Sequence, residues 1–303
     1  MSNSPSAPLP DILCIGAVLW DVIGRADTPL GLGSDVPGRI SRAPGGVALN
    51  IAVTLARLGM RPALLGHIGR DVAGQDLVAA CDRLGLETGH IYRSADLPTD
   101  VYMAIEGTNG LIAAIADAHG LEAAGDRIQR PLVDGSLGSE AEPWTGPIAL
   151  DGNLTTALLD QIARHPAFAR ADLRLAPASP GKALRLAPLL THPGATFYTN
   201  LAEARLRCAN PEATAPEAAT LLLARGVARV LVTDGANPCV DAARGSAVLT
   251  AQPPSVPVKR VTGAGDAFMA AHIVAERRGH AREQALTHAL AAAADHISGD
   301  KSP

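Results

Sequence analysis

Residues 47–85 read VALNIAVTLARLGMRPALLGHIGRDVAGQDLVAACDRLG, and this stretch alone indicates the fold class. Val47–Leu58 has apolar residues at helical spacing and stops before Gly59, a common C-terminal cap. The apolar run Arg61–Ile68 predicts a strand, and Val72–Leu84 predicts a second helix that again ends at a glycine. A succession of helix, strand and helix favours a parallel sheet covered by helices on both faces.

The same alternation extends outward from this stretch in both directions. Further strands are predicted at Asp11–Gly16, Ile148–Leu150, Leu173–Ala176, Ala195–Tyr198 and Ala228–Thr233. Further helices are predicted at Leu158–Arg164, from Pro180 after the cap residue Ser179, and at Glu217–Arg225, Ala264–Arg278 and Ala281–His296. We therefore predict an α/β fold with a doubly wound, mainly parallel sheet. A single domain would occupy residues 11–298, between flexible tails at 1–10 and 299–303.

Two extended regions interrupt the alternation and predict a small antiparallel β lid. Neither Val36–Arg42 nor Val101–Asp117 contains a helical segment, and both read as extended chain. Inside the second region, Gly107-Thr108-Asn109-Gly110 is a hairpin signal. The lid strands are expected within about residues 17–42 and 100–117. Because lid strands expose their edges, a second subunit is a possible cover for them, and a homodimer through the lid is expected.

Composition excludes several classes of protein. The chain has 303 residues, of which 47% are apolar and 18% charged, and its net charge is −4. Wholesale disorder is therefore excluded, and nucleic acid or an anionic membrane is not an expected partner. The four cysteines are too far apart for a metal knuckle or a redox pair. No signal peptide or membrane-length apolar run is visible, so we expect a cytoplasmic protein.

The strongest chemical motif is Val261-Thr262-Gly263-Ala264-Gly265-Asp266-Ala267-Phe268, which opens a predicted helix. Small residues at a helix start leave backbone N–H groups open, and these groups, with the helix dipole, bind an anion. A carboxylate at Asp266 would stand beside that anion and accept a proton from an attacking hydroxyl, as phosphoryl transfer to an alcohol requires. A tight turn with Asp266 as a helix-start charge is the alternative interpretation.

A second motif, Pro44-Gly45-Gly46-Val47-Ala48-Leu49-Asn50-Ile51-Ala52, precedes and opens the helix of the first quoted stretch. The glycine pair allows the backbone to approach a ligand closely. The amide of Asn50 both donates and accepts hydrogen bonds, which suits sugar hydroxyls. A glycine turn followed by an unremarkable polar residue would give the same sequence.

Together the two motifs, about two hundred residues apart, resemble the ribokinase-like (PfkB) family of sugar and nucleoside kinases. Intermediate segments resemble that family too: Asp21 after the first strand, Gly69–Gly74, Asn200-Leu201-Ala202-Glu203 and Thr233-Asp234-Gly235. The resemblance extends from Asp11 to about His296. It implies a ribokinase-like fold and the use of ATP and Mg²⁺.

The resemblance also implies a role for each motif residue. Asp266 would be the catalytic base, and the amides of Gly263, Ala264 and Gly265 would stabilise charge on the transferring phosphoryl group. The sugar would be held by Asp21, Gly45, Gly46 and Asn50. Asn200 and Glu203 would organise magnesium through water, and Thr233 and Gly235 would contact ATP. Glu203 as an exposed helix charge and Thr233 as an ordinary strand-end residue are the alternatives.

Arg260 departs from the family pattern, in which an acidic or amide residue stands six positions before the base. In members that use a monovalent cation, that residue belongs to the cation site. If the guanidinium of Arg260 replaces the cation, the enzyme needs no potassium, and rates measured with and without potassium should agree. A strong potassium dependence would contradict this hypothesis, whereas a solvent-facing Arg260 would leave the question open.

Within the family, the lid and the central loops resemble those of pseudouridine kinases. The similar segments are the hairpin with Tyr102 and Ala113–Asp117, Asp151–Leu154, and Pro177–Ser179 with Lys182. The resemblance implies transfer to the 5′-hydroxyl of a ribonucleoside. Tyr102 would then pack against the base, or merely fill the lid, and Lys182 would approach nucleotide phosphates, or lie exposed on a helix.

Other functions remain open at this point. Another small-molecule acceptor, such as ribose, fructose or adenosine, fits the same motifs. A catalytically silent nucleoside-binding protein is an alternative of a different class, but the intact Gly263-Ala264-Gly265-Asp266 argues against it, since a binding protein needs no base there. A nicotinamide oxidoreductase is disfavoured because Gly31-Leu32-Gly33 lacks the third glycine and a leading strand. A P-loop kinase is excluded because its Gly-x-x-x-x-Gly-Lys signature is absent from the sequence.

Overall fold

Alternating strands and helices fill residues 9–259 and 262–299, the part of the chain that the computed structural model describes. The strands are β1 (Ile12–Ile15), β2 (Leu19–Arg25), β3 (Arg39–Gly45), β4 (Pro62–Leu65), β5 (His67–Gly69), β6 (Tyr92–Ser94), β7 (Val101–Gly107), β8 (Gly110–Asp117), β9 (Pro147–Asp151), β10 (Asp172–Ala176), β11 (Ala195–Asn200), β12 (Arg229–Asp234), β13 (Asn237–Ala243) and β14 (Leu249–Ala251). The α-helices are α1 (Val47–Arg57), α2 (Val72–Arg83), α3 (His119–Ala124), α4 (Thr156–Arg164), α5 (Leu201–Cys208), α6 (Ala215–Ala224), α7 (Ala264–Arg277) and α8 (Arg282–Ser298). None of these described helices is long and apolar enough to cross a membrane.

The main sheet confirms the predicted mainly parallel α/β fold. Its strand order is β14-β13-β12-β11-β10-β9-β1-β4, and the strands from β12 to β4 all pair in parallel. The hairpin of β13 and β14 adds two antiparallel strands at one edge, which the sequence reading did not predict. All the parallel strands therefore end at the same edge of the sheet, where the loops that follow them meet.

Two apolar layers cover the two faces of this sheet. Leu13 and Ile15 of β1 face a core built with α4, α5 and α6, whereas Ile12 and Cys14 face a core built with α1, α2, α7 and α8. Successive side chains of a strand point to opposite faces, so a strand covered on both sides must be apolar throughout. The four cysteines are buried and unpaired, as small core residues.

The lid is a separate sheet of order β3-β2-β7-β8. Its outer pairs are antiparallel, as predicted, while β2 and β7 pair in parallel at its centre. The predicted hairpin joins β7 and β8, and the amide of Asn109 beside the turn exchanges two hydrogen bonds with the backbone of Leu30 (2.9 and 2.8 Å). The lid strand predicted to end near residue 42 continues to Gly45, so the lid is connected directly to α1.

Two local predictions were wrong. The strand predicted at Arg61–Ile68 divides at Gly66 into β4, which pairs with β1, and β5, which pairs with β6. A Cβ atom at Gly66 would lie 2.6 Å from the carbonyl oxygen of Gly16, so this close approach requires glycine. The helix predicted after Ser179 is a 3₁₀ segment, Pro180–Leu189, and Ser179 makes no side-chain cap bond. Pro188 inside that segment has no N–H to donate, which works against a regular α-helix. Residues 1–8, Arg260, Val261 and residues 300–303 lie outside the described part.

Candidate active site

The predicted catalytic base, Asp266, lies in the first turn of α7, directly after Gly263-Ala264-Gly265, the glycine loop. Gly263 precedes the helix with φ = 85°, a left-handed conformation that glycine adopts without steric cost. Nε2 of His296 donates to the carbonyl of Thr262 (2.8 Å) and supports the loop from behind. A side chain at Gly265 would meet nothing within 4 Å. The helix start is therefore unobstructed beside Gly265, which an anion site at its N–H groups requires.

Asn50 contacts Asp266 directly. Its Nδ2 donates to Oδ2 of Asp266 at 3.1 Å, across 216 residues of sequence. Burial raises the pKa of Asp266 to about 7, and the negative charges of Asp151, Asp21 and Glu203 add to this rise, while the Asn50 bond opposes it. The two motifs that the sequence analysis singled out therefore meet at one carboxylate, whose pKa suits proton transfer near neutral pH.

Asp21 lies on the lid strand β2, with its carboxyl group against Gly45. A Cβ atom built on Gly45 would stand 2.2 Å from Oδ2 of Asp21, so only glycine leaves room for this carboxylate. Burial raises the pKa of Asp21 to about 6. Tyr102 is the register partner of Asp21 on β7, so both side chains point to the same side of the lid. The structure thus places Asp21, Gly45 and Tyr102 side by side.

Gly46, with φ = 100°, is the N-cap residue of α1, and the carboxylate of Asp151 binds the same helix start. Oδ2 of Asp151 accepts the N–H groups of Ala17 (2.9 Å) and Ala48 (3.1 Å), and Oδ1 accepts that of Asn153 (2.8 Å). Asp151 is fully buried, and sequence reasoning gave it no role beyond a resemblance. An acidic residue at the end of an apolar strand was the available signal, since buried charge requires partners.

The predicted nucleotide-side residues lie at the ends of the neighbouring strands β11 and β12. Asn200 and Glu203 form a capping box at the start of α5: Oδ1 of Asn200 accepts the N–H of Glu203 (2.9 Å), and Oε2 of Glu203 accepts that of Asn200 (3.0 Å). Glu203 is buried, so the exposed-charge alternative is wrong. Thr233 stands beside Thr199 in the sheet, and Gly235 follows in the turn with φ = 57°.

Lys182 lies farther along the same edge, in the 3₁₀ segment. Its Nζ donates to Oδ1 of Asn153 (2.6 Å), and Arg185 donates to Glu122 of α3 (2.7 Å) and to the Asn153 carbonyl (3.2 Å). Lys182 is half-buried, and its ammonium group lies against the loop that follows β9. Its contact is thus with the Asp151–Asn153 loop, between the lid side and the nucleotide side of the site.

Parts of this chain are similar in sequence to curated kinases. The pseudouridine kinases of Arabidopsis thaliana and Escherichia coli (strain K12) are 35% identical over 100 residues and 30% identical over 169 residues. These matches cover 33% and 52% of this chain, and 26% and 50% of the relatives. The chain therefore matches half or less of the length of these curated relatives.

Solved structures match almost the whole chain. A carbohydrate kinase from Agrobacterium tumefaciens superposes with a TM-score of 0.79 and 28% identity, over 97% of this chain and 92% of that one. Ribokinase of Arabidopsis thaliana, solved with ribose and ATP, superposes with a TM-score of 0.75 and 20% identity, over 95% and 92%. The second likeness establishes the ribokinase-like fold. The model of the pfkB family of carbohydrate kinases matches residues 9–298. The chain belongs to the pfkB family of carbohydrate kinases.

Proposed function

We propose that the protein transfers the γ-phosphoryl group of ATP to a hydroxyl group of a sugar or nucleoside. The hydrogen bond between Asn50 and Asp266 carries this proposal, because it joins the sugar-side motif to a carboxylate beside an open helix start. A protein that only binds nucleosides needs no carboxylate of raised pKa at that position. The silent binding protein is therefore the less favoured alternative.

Each step of the proposed reaction uses residues already placed. Asp21 orients the acceptor beneath the lid, and Asn50 keeps Asp266 directed at the acceptor hydroxyl. Asp266 accepts the hydroxyl proton as the oxygen attacks phosphorus in line with the leaving ADP. The backbone N–H groups of Gly263, Ala264 and Gly265 stabilise the charge on the phosphoryl oxygens. The closed lid excludes water, which would otherwise compete as acceptor.

The acidic residues of the nucleotide side fit a magnesium ion that is held mainly by phosphates and water. The capping box occupies Oδ1 of Asn200 and Oε2 of Glu203, which leaves Oε1 of Glu203 outside the cap and able to bind through water. Residues 9–259 and 262–299 contain no cluster of three ligating side chains, and magnesium with a nucleotide does not require one. When bound, the ion neutralises charge on the phosphate oxygens. Thr233, Gly235 and Lys182 would contact the nucleotide.

Among acceptors we propose pseudouridine, phosphorylated at its 5′-hydroxyl. The two pseudouridine kinase relatives and the lid row of Asp21 and Tyr102 support this choice, because a tyrosine next to the sugar-binding carboxylate offers a flat apolar surface to a base. Ribose, fructose and adenosine remain the alternatives within the family.

An assay of ADP release with magnesium-ATP, across pseudouridine, uridine, adenosine, ribose and fructose, tests the proposal. Turnover confined to pseudouridine is the expected result. Turnover with another acceptor would contradict the substrate and keep the kinase. Binding of a nucleoside, measured by calorimetry, without turnover of any acceptor would favour the silent binding protein.

The rate should depend on pH through Asp266. Because the base must be ionised and its pKa lies at about 7, kcat/KM should rise about tenfold per pH unit below 7 and level off above it. Asn50→Ala removes a hydrogen bond that lowers this pKa, so the rising limb should move to higher pH. Initial rates from pH 5 to 9 measure the rising limb and the plateau in wild type and variant, and an unmoved limb in the variant would contradict the pairing.

The outer face of the lid supports the expected homodimer. Ile40, Met103, Ile105 and Ile115 all point away from the Asp21 row, and Ile40 and Ile115 are 81% and 69% exposed. A contiguous exposed apolar face is typical of a subunit interface. Light scattering should show a dimer that Ile115→Lys dissociates and that Leu32→Lys, which changes an exposed leucine outside the lid sheet, leaves intact. A monomeric wild type would contradict this expectation.

A further inference from the structure

The base of the lid is held by a residue that the motifs do not include, Asp100. It immediately precedes β7 and is 4% exposed. Oδ1 and Oδ2 of its carboxylate accept the N–H groups of Gly120 and Leu121, both at 2.9 Å. Those N–H groups open α3, which follows the end of β8. One carboxylate thereby ties the first strand of the lid hairpin to the helix that follows the second.

This carboxylate replaces a cap that α3 lacks. The residue at the N-cap of α3 is Ala118, which has no acceptor in its side chain and makes no cap bond. The first N–H groups of a helix need acceptors, and here the acceptors come from 20 and 21 residues earlier in the chain. The cap therefore connects two segments instead of serving one helix alone.

The backbone of Asp100 joins a third lid segment to the same point. Its carbonyl accepts the N–H of Trp20, at the start of β2 (3.2 Å). The preceding residue, Thr99, is fixed to the body of the protein, because Asp71 accepts both its N–H (3.0 Å) and its hydroxyl (2.6 Å) while capping α2. Three of the four lid connections thus meet at Asp100, and the fourth is Gly45.

The space around the Asp100 carboxylate is closed. A Cβ atom on Gly120 would lie 2.4 Å from Cε1 of His67 and 2.6 Å from Oδ1 of Asp100. The ring of His67 is buried and packs against the start of α3. Its Nδ1 lies 4.0 Å from the carboxylate of Asp100. A larger residue at 120 or a shorter one at 100 would each open this contact.

We infer that Asp100 is a positioning residue, which fixes the base of the lid and thereby sets where Tyr102 stands relative to Asp21. Tyr102 is two residues beyond Asp100 on β7, and Asp21 is one residue beyond Trp20 on β2, so both follow directly from this anchor. Reacting groups must be held to fractions of an ångström, so movement at the anchor would weaken acceptor binding. This inference rests on the proposed kinase function.

Steady-state kinetics of Asp100→Ala test the inference. We expect the KM for the acceptor to rise about tenfold and the KM for ATP to change less than about twofold, because the lid holds only the acceptor. Asp100→Asn keeps one acceptor oxygen and should restore part of the loss. The matched control is Asp117→Asn, which removes an exposed carboxylate at the same base of the hairpin, bonded to the ring of His119 and not to the backbone N–H groups of Gly120 and Leu121, and should leave both constants unchanged.

A second variant separates positioning from simple helix capping. Adding Ala118→Ser to Asp100→Ala gives α3 a local cap without a connection to β7. We expect this double variant to regain thermal stability and to keep the raised acceptor KM. Recovery of the acceptor KM, or an unchanged KM in Asp100→Ala, would overturn the inference.

Hydrogen exchange tests the anchor without any substrate. Amides of β7 and β8 should exchange faster in Asp100→Asn than in wild type and in Asp117→Asn. Equal exchange in all three proteins would overturn the inference even if the wild type is an active kinase. Faster exchange together with an inactive wild type would support the anchor and contradict the proposed function alone.

Discussion

Replacing Asp266 by asparagine is expected to lower kcat by about three orders of magnitude, since a positioned general base contributes 10²–10⁴-fold. Asparagine has almost the same shape and still offers an oxygen to Nδ2 of Asn50, but it cannot accept the acceptor's proton. Binding of acceptor and of ATP, measured by calorimetry, should therefore change little. Loss of turnover with retained binding would identify a chemical role for this carboxylate.

A suitable control for this variant is Glu283→Gln. Glu283 is a carboxylate in the first turn of α8, exposed and remote from the glycine loop, so its loss changes charge at a helix start without touching the site. Its kcat should equal that of the wild type. If Asp266→Asn retained near-normal turnover, the base would have to be another group, and the proposed mechanism would be wrong.

Replacing Glu276 by glutamine is expected to lower the free energy of unfolding by about 3–5 kcal/mol, the usual cost of removing one partner from a buried ion-pair network. The carboxylate of Glu276, 17% exposed, bridges the guanidinium groups of Arg174 and Arg229, which belong to β10 and β12. Asp172 and Asp241 pair with the same arginines from other sides. Arg282 also pairs with Asp241, so without Glu276 the network would hold three arginines against two carboxylates. Urea denaturation measures the loss.

The pH dependence of this loss provides a further check. Burial alone would raise the pKa of Glu276, but the charges of Arg174, His272 and Arg229 outweigh burial and hold it below the ordinary value of 4.5. A lowered carboxylate pKa stabilises the fold above 4.5 and ceases to do so as the pH falls through the lowered value. The difference between wild type and Glu276→Gln should shrink in acid.

An exposed pair supplies the comparison for Glu276→Gln. Asp160 pairs with Arg164 on the surface of α4, and Asp160→Asn should cost less than about 1 kcal/mol because solvent screens the pair. Equal losses in the two variants would contradict the importance assigned to the buried network.

Much of the fold could be predicted because its signals are local. Apolar runs, helical spacing and terminal glycines identified the parallel strands and the long helices, and the Gly-Thr-Asn-Gly turn identified the lid hairpin. The sequence patterns do not predict the short helices α3 and α5 or the edge hairpin of β13 and β14. Segments this short show no clear hydrophobic periodicity. The segment predicted as an ordinary helix after Ser179 is a 3₁₀ segment, because Pro188 has no N–H for an α-helical hydrogen bond.

The candidate site was predictable only where its residues stand in compact motifs. Asp266 and Asn50 were named from separate motifs, but nothing local indicates that they touch across 216 residues. Asp151 and Asp100 were assigned no role, because each acts by accepting N–H groups from segments that only the folded chain brings near. Residue roles taken from the family resemblance stay predictions until the variants are measured.

The order of the site residues along the chain has a consequence for how new activities can arise. The lid is built from β2, β3, β7 and β8, all before residue 118, whereas the capping box, Thr233 and the glycine loop lie beyond residue 199. With the proposed roles, the residues for acceptor choice and those for phosphoryl transfer would thus be encoded in different portions of one gene. Substitution or recombination within the first portion can change the accepted molecule while the machinery for using ATP is inherited intact, which makes this architecture readily divergent.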